Sequence, residues 1–512
     1  MQIEFDLGDP GYTLLHRAGL AGLWMTLAQL EEEGVNPPNN LEWRLSHRRI
    51  CLSWQGCDQD VLNWLLQESF QLSDGLISLR GLDARNMRID AQMIVHQGIL
   101  GTFLQHTSTH KATGMAQQSF QLDEDKPKII VTYKALQSYV YQRFAKSLCD
   151  KNGNFLSKPV TVAGWLNPGA VVRHVAFSSS TSFEEPPEHA FVLLFAPVAC
   201  YYFLLRSQLR SQRAQYALIV PEITNLEKYA GYRRNSHLRD ASYKDFFASG
   251  LGDAGLRFLT YETAADLAEV FVMERCQVVT LGTVAWASQQ KTRTDLYLVE
   301  ASKDKAELLE NYRICRSWFS DRVIAGKNGG FIPGSFAREL IAENLAKQHD
   351  WYAGLADKVN SNELFEKLTY ERGGLYQMTN EAKYDERDKL FVQACHEAIK
   401  FTYAQIANNT REGEKPNFER ATVKIRTGLS RCKSSASFRE FITDFWARAG
   451  RLPTLQKHWL DLMDFVTGQQ DWQKARDLAL LALASYKKSD GDSDGADIEE
   501  EEEEDLIGLP GL

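Results

Sequence analysis

The sequence lacks paired cysteines. Its eight cysteines stand singly, at positions 51, 57, 149, 200, 276, 315, 395 and 432, and no two have the Cys-x-x-Cys spacing. Without pairs at fixed spacing, the pattern predicts neither a structural zinc framework nor the disulfide framework of a small secreted domain. We therefore expect reduced thiols and a cytoplasmic protein.

A hydrophobic run long enough to cross a membrane is also lacking. The longest apolar run, residues 190–205, has 16 residues, whereas a membrane-spanning helix needs about 20. Pro197 interrupts this run, and its Phe, Val and Tyr content favours strands. We expect two buried strands joined at a turn, and no membrane partner.

A phosphate-cradling P-loop motif is missing as well. The chain contains no GxxxxGK[ST] pattern. His349-Asp350 matches the paired ligands of HD nucleases, yet no nearby residues are spaced to complete the metal site. His106 and His110 stand four residues apart, but the Thr and Ser residues between them favour a polar loop. We expect no enzyme, no metal site and no cofactor, with a metal-dependent nuclease using His349 and Asp350 as the alternative.

Basic residues are absent from the C-terminal end. Eleven acids and no base lie between Asp490 and Asp505, and removing these eleven from the net charge of −9 leaves +2 for the remainder. A run of one sign is typical of a solvated, disordered tail. We assign residues 489–512 to such a tail, so the folded part is close to neutral and its basic residues are clustered.

Residues 1–377 mix strand and helix patterns without regular alternation or repeats, which favours an α+β fold over a doubly wound sheet. The predicted strands are 2–7, 41–54, 128–133, 160–166, 170–177, 215–220 and 277–284. The predicted helices are 135–149, 264–276, 303–319 and 336–351. We treat this region as one large α+β body.

Residues 378–488 show helical periodicity only. Five amphipathic stretches follow one another with short connections, at 381–407, 417–431, 437–449, 455–466 and 471–487. A helical bundle of about 110 residues is a common domain size. We therefore predict a C-terminal bundle that resembles a small separate subunit.

The second stretch of this bundle is basic. Arg420, Lys424, Arg426, Arg431 and Lys433 fall within fourteen residues that contain no acid. Solvated helix faces usually mix both signs, so this pattern indicates a polyanion-binding face.

Four more basic segments lie in residues 1–377, and each is a candidate for contact with nucleic acid. The first contains Arg206, Arg210 and Arg213; the second interleaves bases with aromatic residues, as Lys228, Tyr229, Tyr232, Arg233, Arg234, His237 and Arg239. The third is a turn at 289–293 that contains Gln290, Lys291 and Arg293, and the fourth is the glycine-rich loop Lys327-Asn328-Gly329-Gly330. Taken singly, such segments are more often solvated surface.

One segment near the start has glycines where a helix does not favour them. Asp9-Pro10-Gly11-Tyr12-Thr13 predicts a turn and an N-cap, after which apolar residues recur at helical spacing. Gly19 and Gly22 inside this helix each cost roughly 1 kcal/mol relative to alanine. We therefore expect close approach of another backbone or of a bound polymer.

This segment and a second one, Gly282 to Arg293, resemble the large subunit of type I CRISPR Cascade complexes in its DevT-like (MYXAN) branch. The resemblance implies a non-catalytic subunit that recognises the protospacer-adjacent motif in duplex DNA, assists strand opening and contacts the guide RNA at its 5′ handle. It also implies contacts with the backbone, guide-end and small subunits, and with a nuclease-helicase or a transposition adaptor. A pure scaffold that touches only other subunits is the remaining alternative.

Under this resemblance we expect Lys291, Arg293 and Lys327 to meet phosphates or wedge the duplex. Gln290 and Asn328 would donate hydrogen bonds to base edges. Guide pairing reads the target sequence in such complexes, so the protein needs few base contacts.

Met378, at the change of pattern, is the candidate start of a second product. Arg372-Gly373-Gly374 can be encoded as AGA-GGA-GGA, which contains a purine-rich ribosome-binding sequence, and three residues separate it from Met378. The resemblance adds that related complexes have small subunits made from inside the large-subunit gene. We hypothesise that the bundle is also made as a separate small subunit.

Overall fold

The computed structural model of the chain divides into two compact units, Met1–Asp385 and Glu386–Leu512. It describes all residues except 84, 163, 169–182, 208–214, 235–240, 261–274, 287–288, 301–305, 328, 412–413, 468–470 and 488–512, and describes the backbone alone at 183, 215, 281–286 and 289–295. The described strands all belong to the first unit, and the second is helical, which confirms the predicted α+β class. The predicted tail at 489–512 lies outside the described residues.

Sixteen described strands form the sheets of the first unit. Their bounds are β1 Gln2–Asp6, β2 Glu42–Leu45, β3 Arg49–Ser53, β4 Phe70–Ser73, β5 Leu76–Leu79, β6 His110–Phe120, β7 Ile129–Tyr139, β8 Val160–Val162, β9 Phe183–Glu185, β10 Tyr201–Leu205, β11 Gln215–Pro221, β12 Phe247–Ala248, β13 Arg275–Trp286, β14 Gln289–Glu300, β15 Ile324–Gly326 and β16 Gly329–Phe331. The largest sheet has the order β12-β10-β11-β13-β14, a second has the order β15-β16-β7-β6, and a third has the order β1-β3-β2.

The first unit also contains helices. Those that the structure describes are Leu14–Glu32, Asp58–Ser69, Ile89–Thr102, Ala145–Leu148, Pro187–Leu193, Ala196–Ala199, Leu226–Arg233, Leu251–Leu259, Ala306–Trp318, Phe336–Ala346, Leu355–Lys358, Asn362–Tyr370 and Arg372–Glu381. The prediction of a helix at 135–149 is wrong over its first part, because β7 continues to Tyr139 in antiparallel pairing with β6. The predicted strand at 170–177 and most of the predicted helix at 264–276 lie outside the described residues.

The apolar run at 190–205 folds differently from its prediction. It lies in two short helices, Pro187–Leu193 and Ala196–Ala199, followed by a single strand, β10. Prolines stand in the first turn of both helices, where the fixed φ of proline favours helix initiation. The run is nevertheless buried, as predicted, and all five residues of β10 are buried between its neighbours β11 and β12.

The first helix, Leu14–Glu32, confirms the expectation of close backbone approach. A Cβ atom at Gly19 would overlap the carbonyl of Val192, and one at Gly22 would overlap the carbonyl of Phe195. Val192 belongs to the helix Pro187–Leu193, and Phe195 lies in the turn that joins it to the helix Ala196–Ala199. The two glycines therefore let the first helix sit directly against another backbone, which explains why alanine is not used there.

The second unit is a bundle of helices around an aromatic core. Its described helices are Glu386–Asn409, Phe418–Arg431, Ser435–Ala449, Pro453–Lys457, Trp459–Thr467 and Trp472–Ser485. The ring of Phe391 lies 4.9 Å from that of Phe465 and 5.5 Å from that of Trp446, centroid to centroid. These three side chains, from three helices, are buried.

The division between the units follows Asp385, eight residues after the one predicted from the sequence. Met378 is buried in the helix Arg372–Glu381, which packs against Ala306–Trp318 of the first unit. The side chain of Trp318 also donates a hydrogen bond to Glu381 at 2.9 Å. Helical periodicity thus begins inside the body, before the bundle itself.

Across the residues that the structure describes, none of the helices combines the length and the apolar character that crossing a membrane requires.

Candidate nucleic-acid interface

The helix Phe418–Arg431, here called the basic helix, has a well-defined start and an apolar underside. The side chain of Asn417 accepts a hydrogen bond from the backbone nitrogen of Arg420 at 2.8 Å, as an N-cap residue does. Ile425 and Leu429, four residues apart, are buried against the bundle. This anchoring fixes which face of the basic helix meets solvent.

Three cations lie along the exposed face. Arg420, Lys424 and Arg431 are exposed, and at 100° per residue they fall within roughly 40° of one another around the helix axis. At a rise of 1.5 Å per residue the stripe is about 16 Å long. Among the described residues none of the three side chains has an ion-pair partner. The basic stripe, defined as these three residues, can therefore bind a polyanion without first breaking internal pairs.

Arg426 does not belong to the basic stripe. It lies roughly 120° around the helix from Arg420, is half-buried, and makes an interaction of its own within the protein. The sequence prediction that placed it with Arg420 and Lys424 is corrected in this respect, because proximity in sequence does not mean a shared helical face.

The neighbouring helix Ser435–Ala449 packs closely against the basic helix. A Cβ atom at Gly428 would overlap the ring of Phe441, so this glycine admits the ring to the helix surface. Phe441 is half-buried and stacks on Phe445, with ring centroids 6.0 Å apart and planes 14° apart. Next to them, Arg448 pairs with Asp444 at 2.8 Å, so the groove between the two helices carries mixed charge.

The segment 289–293 lies in a strand rather than in a turn. Residues 289–300 form β14, which pairs with β13 so that Gln290 faces Ala285, Lys291 faces Val284 and Arg293 faces Gly282. The connection is limited to residues 287–288, outside the described residues. Gln290, Lys291 and Arg293 thus belong to the end of a long hairpin at the edge of the five-stranded sheet, which corrects the predicted turn.

Lys327 lies at the tip of a second hairpin, formed by β15 and β16. It is exposed, whereas Asn328 lies outside the described residues. Gly330 pairs with Ile129 of β7, and a Cβ atom there would come within 2.5 Å of the Pro127 carbonyl. Gly329 has φ +125°, a conformation open to glycine. The glycines therefore allow this hairpin to lie close to the segment that leads into β7.

Sequence reasoning missed Lys126 and Lys128, which belong to the same end of this sheet. Both are exposed in the segment that leads into β7, and the Gly330 nitrogen donates to the Lys128 carbonyl at 2.9 Å. Glu124 and Asp125 precede them and are also exposed. Because this segment is distant from Lys327 in sequence, no local pattern could have joined them.

Two family models match the chain: the DevT N-terminal domain over residues 4–194 and the DevT C-terminal domain over residues 379–508. The CRISPR-associated protein Cas8a1/Csx13 of Myxococcus xanthus (strain DK1622) is 28% identical to it over 538 residues, which cover 98% of this chain and 91% of that relative. The chain belongs to the DevT-like branch of the Cas8 large subunits. It is thus a subunit of a CRISPR effector complex, and the resemblance predicted from the sequence is confirmed.

Of the candidate surfaces of this large subunit, the basic helix lies within the matched C-terminal segment. The hairpins β13–β14 and β15–β16 lie between the two matched segments.

The aromatic residues interleaved with bases at 228–239 are part of the core. Tyr229 and Tyr232 are buried, and the guanidinium of Arg233 lies 4.5 Å from the centre of the Tyr201 ring. Arg233 is itself only 4% exposed, so it is not accessible to a phosphate backbone. The interpretation of these three residues as a stacking surface is corrected, because their side chains donate hydrogen bonds to buried backbone carbonyls.

Arg234 and Arg206 also make contacts within the protein. Arg234 donates to the carbonyl of Met25 at 2.7 Å and lies 3.5 Å from Glu32. Arg206 lies over the ring of Phe247 at 5.1 Å, and burial lowers the pKa of its guanidinium below the ordinary value. Lys228 is exposed, whereas Arg210, Arg213, His237 and Arg239 lie outside the described residues.

The residues of the nuclease alternative do not assemble with other ligands in the described part of the chain. His349 and Asp350 are exposed in the turn after the helix Phe336–Ala346, and Asp350 accepts a hydrogen bond from Tyr352 at 3.2 Å. No described group of three potential metal ligands includes either residue. His106 and His110 do not share a helix, since His110 begins β6 and its ring lies 3.3 Å from the Lys134 amine.

Proposed function

We propose that this large subunit binds nucleic acid in a guide-RNA-loaded complex without cutting it. The observation that carries the proposal is the basic stripe, because three exposed cations without internal partners on one helix face form a surface for a phosphate backbone. The stripe is about as long as five base steps of B-form DNA at 3.4 Å each. The helical bundle would then lie along the heteroduplex or the displaced strand.

We also propose that the body recognises the protospacer-adjacent motif and assists strand opening. The ends of the hairpins β13–β14 and β15–β16 bear Gln290, Lys291, Arg293 and Lys327, and Asn328, which lies outside the described residues, follows Lys327 in the sequence. Alternate residues of a strand share a face, so Lys291 and Arg293 would contact phosphates together while Gln290 contacts a base edge. A two-stranded ribbon is an element that the major groove admits. Arg210 and Arg213 remain candidates for backbone contact.

The partners follow from this role. They are the guide RNA, the duplex target, the backbone, guide-end and small subunits of the complex, and a nuclease-helicase or a transposition adaptor recruited by it. Exposed cations suit the first two partners, since counterion release makes such contacts favourable at physiological salt.

The salt dependence of DNA binding tests the proposal. In the assembled complex, Arg420→Gln combined with Lys424→Gln should weaken binding to all target sequences alike and lower the slope of log affinity against log salt by about 1.5–2. The double variant Arg451→Gln, Lys457→Gln removes the same charge from exposed positions elsewhere in the bundle and should leave the slope unchanged. Equal slopes for all three complexes would exclude the basic stripe from contact with the DNA backbone.

Cleavage assays test the absence of catalysis. The purified chain with magnesium or manganese should leave labelled single-stranded DNA intact. Robust cleavage that disappears in His349→Ala would establish the nuclease alternative instead.

A further inference from the structure

His16, Glu185 and His189 lie together beneath the N-terminal end of the first helix. His16 Nε2 is 3.3 Å from Glu185 Oε1, and His189 Nδ1 is 3.4 Å from Glu185 Oε2. One ligand atom from each residue can be chosen so that all three lie within 4.8 Å of one another. The sequence predicted no metal site, because His16 is distant in sequence from the other two residues.

The spacing of these atoms fits a metal ion. Bonds of about 2.0–2.2 Å to nitrogen and oxygen in a tetrahedral site place neighbouring ligand atoms roughly 3.3–3.6 Å apart. The distances from His16 Nε2 to Glu185 Oε1 and from His189 Nδ1 to Glu185 Oε2 fall at the start of that range, so each imidazole has its own carboxylate oxygen as a neighbour. Two imidazoles with one carboxylate form a donor set that zinc uses, with the fourth position left to water.

One nitrogen of the cluster has no hydrogen bond. His16 is fully buried, and its Nε2 makes no hydrogen bond of acceptable geometry to any described residue despite its short distance from Glu185. An unsatisfied buried polar atom of this kind is unfavourable. A cation between the imidazole and the carboxylate would give His16 Nε2 the partner that it lacks.

The remaining nitrogens of the two rings are already held. His189 Nε2 lies 3.4 Å from Asp9 Oδ2, which leaves Nδ1 facing Glu185. His16 Nδ1 lies 2.8 Å from Thr13 Oγ1 and accepts a hydrogen bond from the Thr13 backbone nitrogen at 3.2 Å, and Nε2 faces Glu185. A metal ion at Nε2 would replace the proton there, and the ring would instead carry its proton on Nδ1 and donate it to Thr13 Oγ1. Metal-binding histidines typically have their second nitrogen fixed by a carboxylate or another polar group in this way.

Residues 11–13 form the wall of the cluster. The Tyr12 ring stacks on His16 with centroids 5.4 Å apart and meets His189 edge-on at 5.0 Å. A Cβ atom at Gly11 would lie 2.7 Å from His189 Cε1, so only glycine leaves space for that ring. Both imidazoles are thus oriented before any ion binds, which lowers the entropy lost on binding.

We propose that His16 Nε2, the Glu185 carboxylate and His189 Nδ1 bind one divalent transition-metal ion, zinc in the cell, with Asp9 orienting His189. The ion ties the first helix to β9 and to the helix Pro187–Leu193. Binding to the folded state alone makes its free energy part of the stability of the body. This site is independent of the nucleic-acid surfaces described above.

Metal analysis of the full-length chain, with any affinity tag removed, tests the site. Roughly one zinc per chain is expected in wild type purified from zinc-replete cells. His16→Ala and His189→Ala should lose that zinc. Glu184→Gln, an exposed acid beside Glu185, and His349→Ala, an exposed histidine outside the cluster, should keep it.

A second measurement uses wild type, so it does not depend on the folding of the variants. After chelation and dialysis, added zinc should raise the melting temperature, and added cobalt(II) should give the visible absorption of a four-coordinate site. Asp9→Asn should weaken zinc affinity about 10–100-fold. The proposal would be overturned if wild type contained no zinc and its melting temperature did not change when zinc or cobalt(II) was added. Zinc that stays at full occupancy in a folded His16→Ala chain would overturn it as well.

Discussion

Arg338 Nε lies 3.0 Å from Asp253 Oδ2, and both side chains are buried. Arg338 also donates to Asp321 Oδ1 at 2.6 Å, while the hydroxyl of Tyr312 donates to Asp253 Oδ1 at 2.6 Å. Burial alone would raise the pKa of Asp253, but the guanidinium groups of Arg338 and Arg257 hold the pKa below its ordinary value. The helix that carries Asp253 is thus connected inside the body to the helix of Arg338 by an ion pair and to the helix of Tyr312 by a hydrogen bond.

Removal of one charge from this group should destabilise the body strongly. Arg338→Met leaves Asp253 and Asp321 buried without their main partner, and such losses typically cost about 3–5 kcal/mol. Chemical unfolding measures the change. Arg322→Met, an exposed arginine next to Asp321, should stay within about 0.5 kcal/mol. If Arg338→Met lowered the free energy of unfolding by less than about 1 kcal/mol, this group of charges would contribute little to the stability of the body.

Acid should destabilise the body through His96. Its Nδ1 accepts from the Ile77 nitrogen at 3.1 Å, and its Nε2 lies 2.9 Å from the Lys134 carbonyl. Burial, opposed by the hydrogen bond to Lys134 and assisted by nearby His110, lowers the pKa of His96 to about 4. The unfolded chain binds this proton more readily, so stability is lost as pH falls from about 6.5 towards 4.

The unfolding free energies of wild type and His96→Gln at pH 7.5 and pH 5 measure this contribution. Between these values wild type should lose about 2 kcal/mol more than the variant. His47→Gln, at an exposed position, should behave as wild type does. Parallel pH dependence of wild type and His96→Gln would contradict the assignment.

Synonymous recoding of residues 372–374 tests the second product. Wild type should yield the full chain and a short product that starts at Met378 and contains the helices from Glu386 to Ser485. Recoding should remove the short product without changing the full chain, and so should Met378→Leu, a substitution that a buried site tolerates. Synonymous recoding of Gly329-Gly330 provides the control. A complex with unchanged composition, and no short product in wild type, would refute the hypothesis.

The sequence carries local information well. The helices of the bundle were predictable because their apolar residues recur at helical spacing, and the close approach at Gly19 and Gly22 was predictable because glycine is unfavourable inside a helix. Arg420 and Lys424 share a face for the same local reason. Their spacing of four residues was visible before the fold was known.

Burial and long-range contacts were not predictable in this way. Arg233 looked like a surface base, yet the strand that supplies Tyr201 places it in the core. Tyr139 looked helical until its pairing with β6 was known. The cluster of His16, Glu185 and His189 depends on the packing of the first helix against a distant segment, and no local spacing encodes it.

The most direct test of the central proposal is the motif preference of the assembled, guide-loaded complex. A matched target flanked by randomised bases would be selected by the complex and sequenced. Wild type should enrich one short motif, and Gln290→Ala should relax that choice by about 5- to 150-fold, the value of one base-edge contact. Lys291→Ala and Lys327→Ala should weaken all motifs alike. A preference that is identical in wild type and all three variants would place motif recognition outside these hairpins and contradict the account.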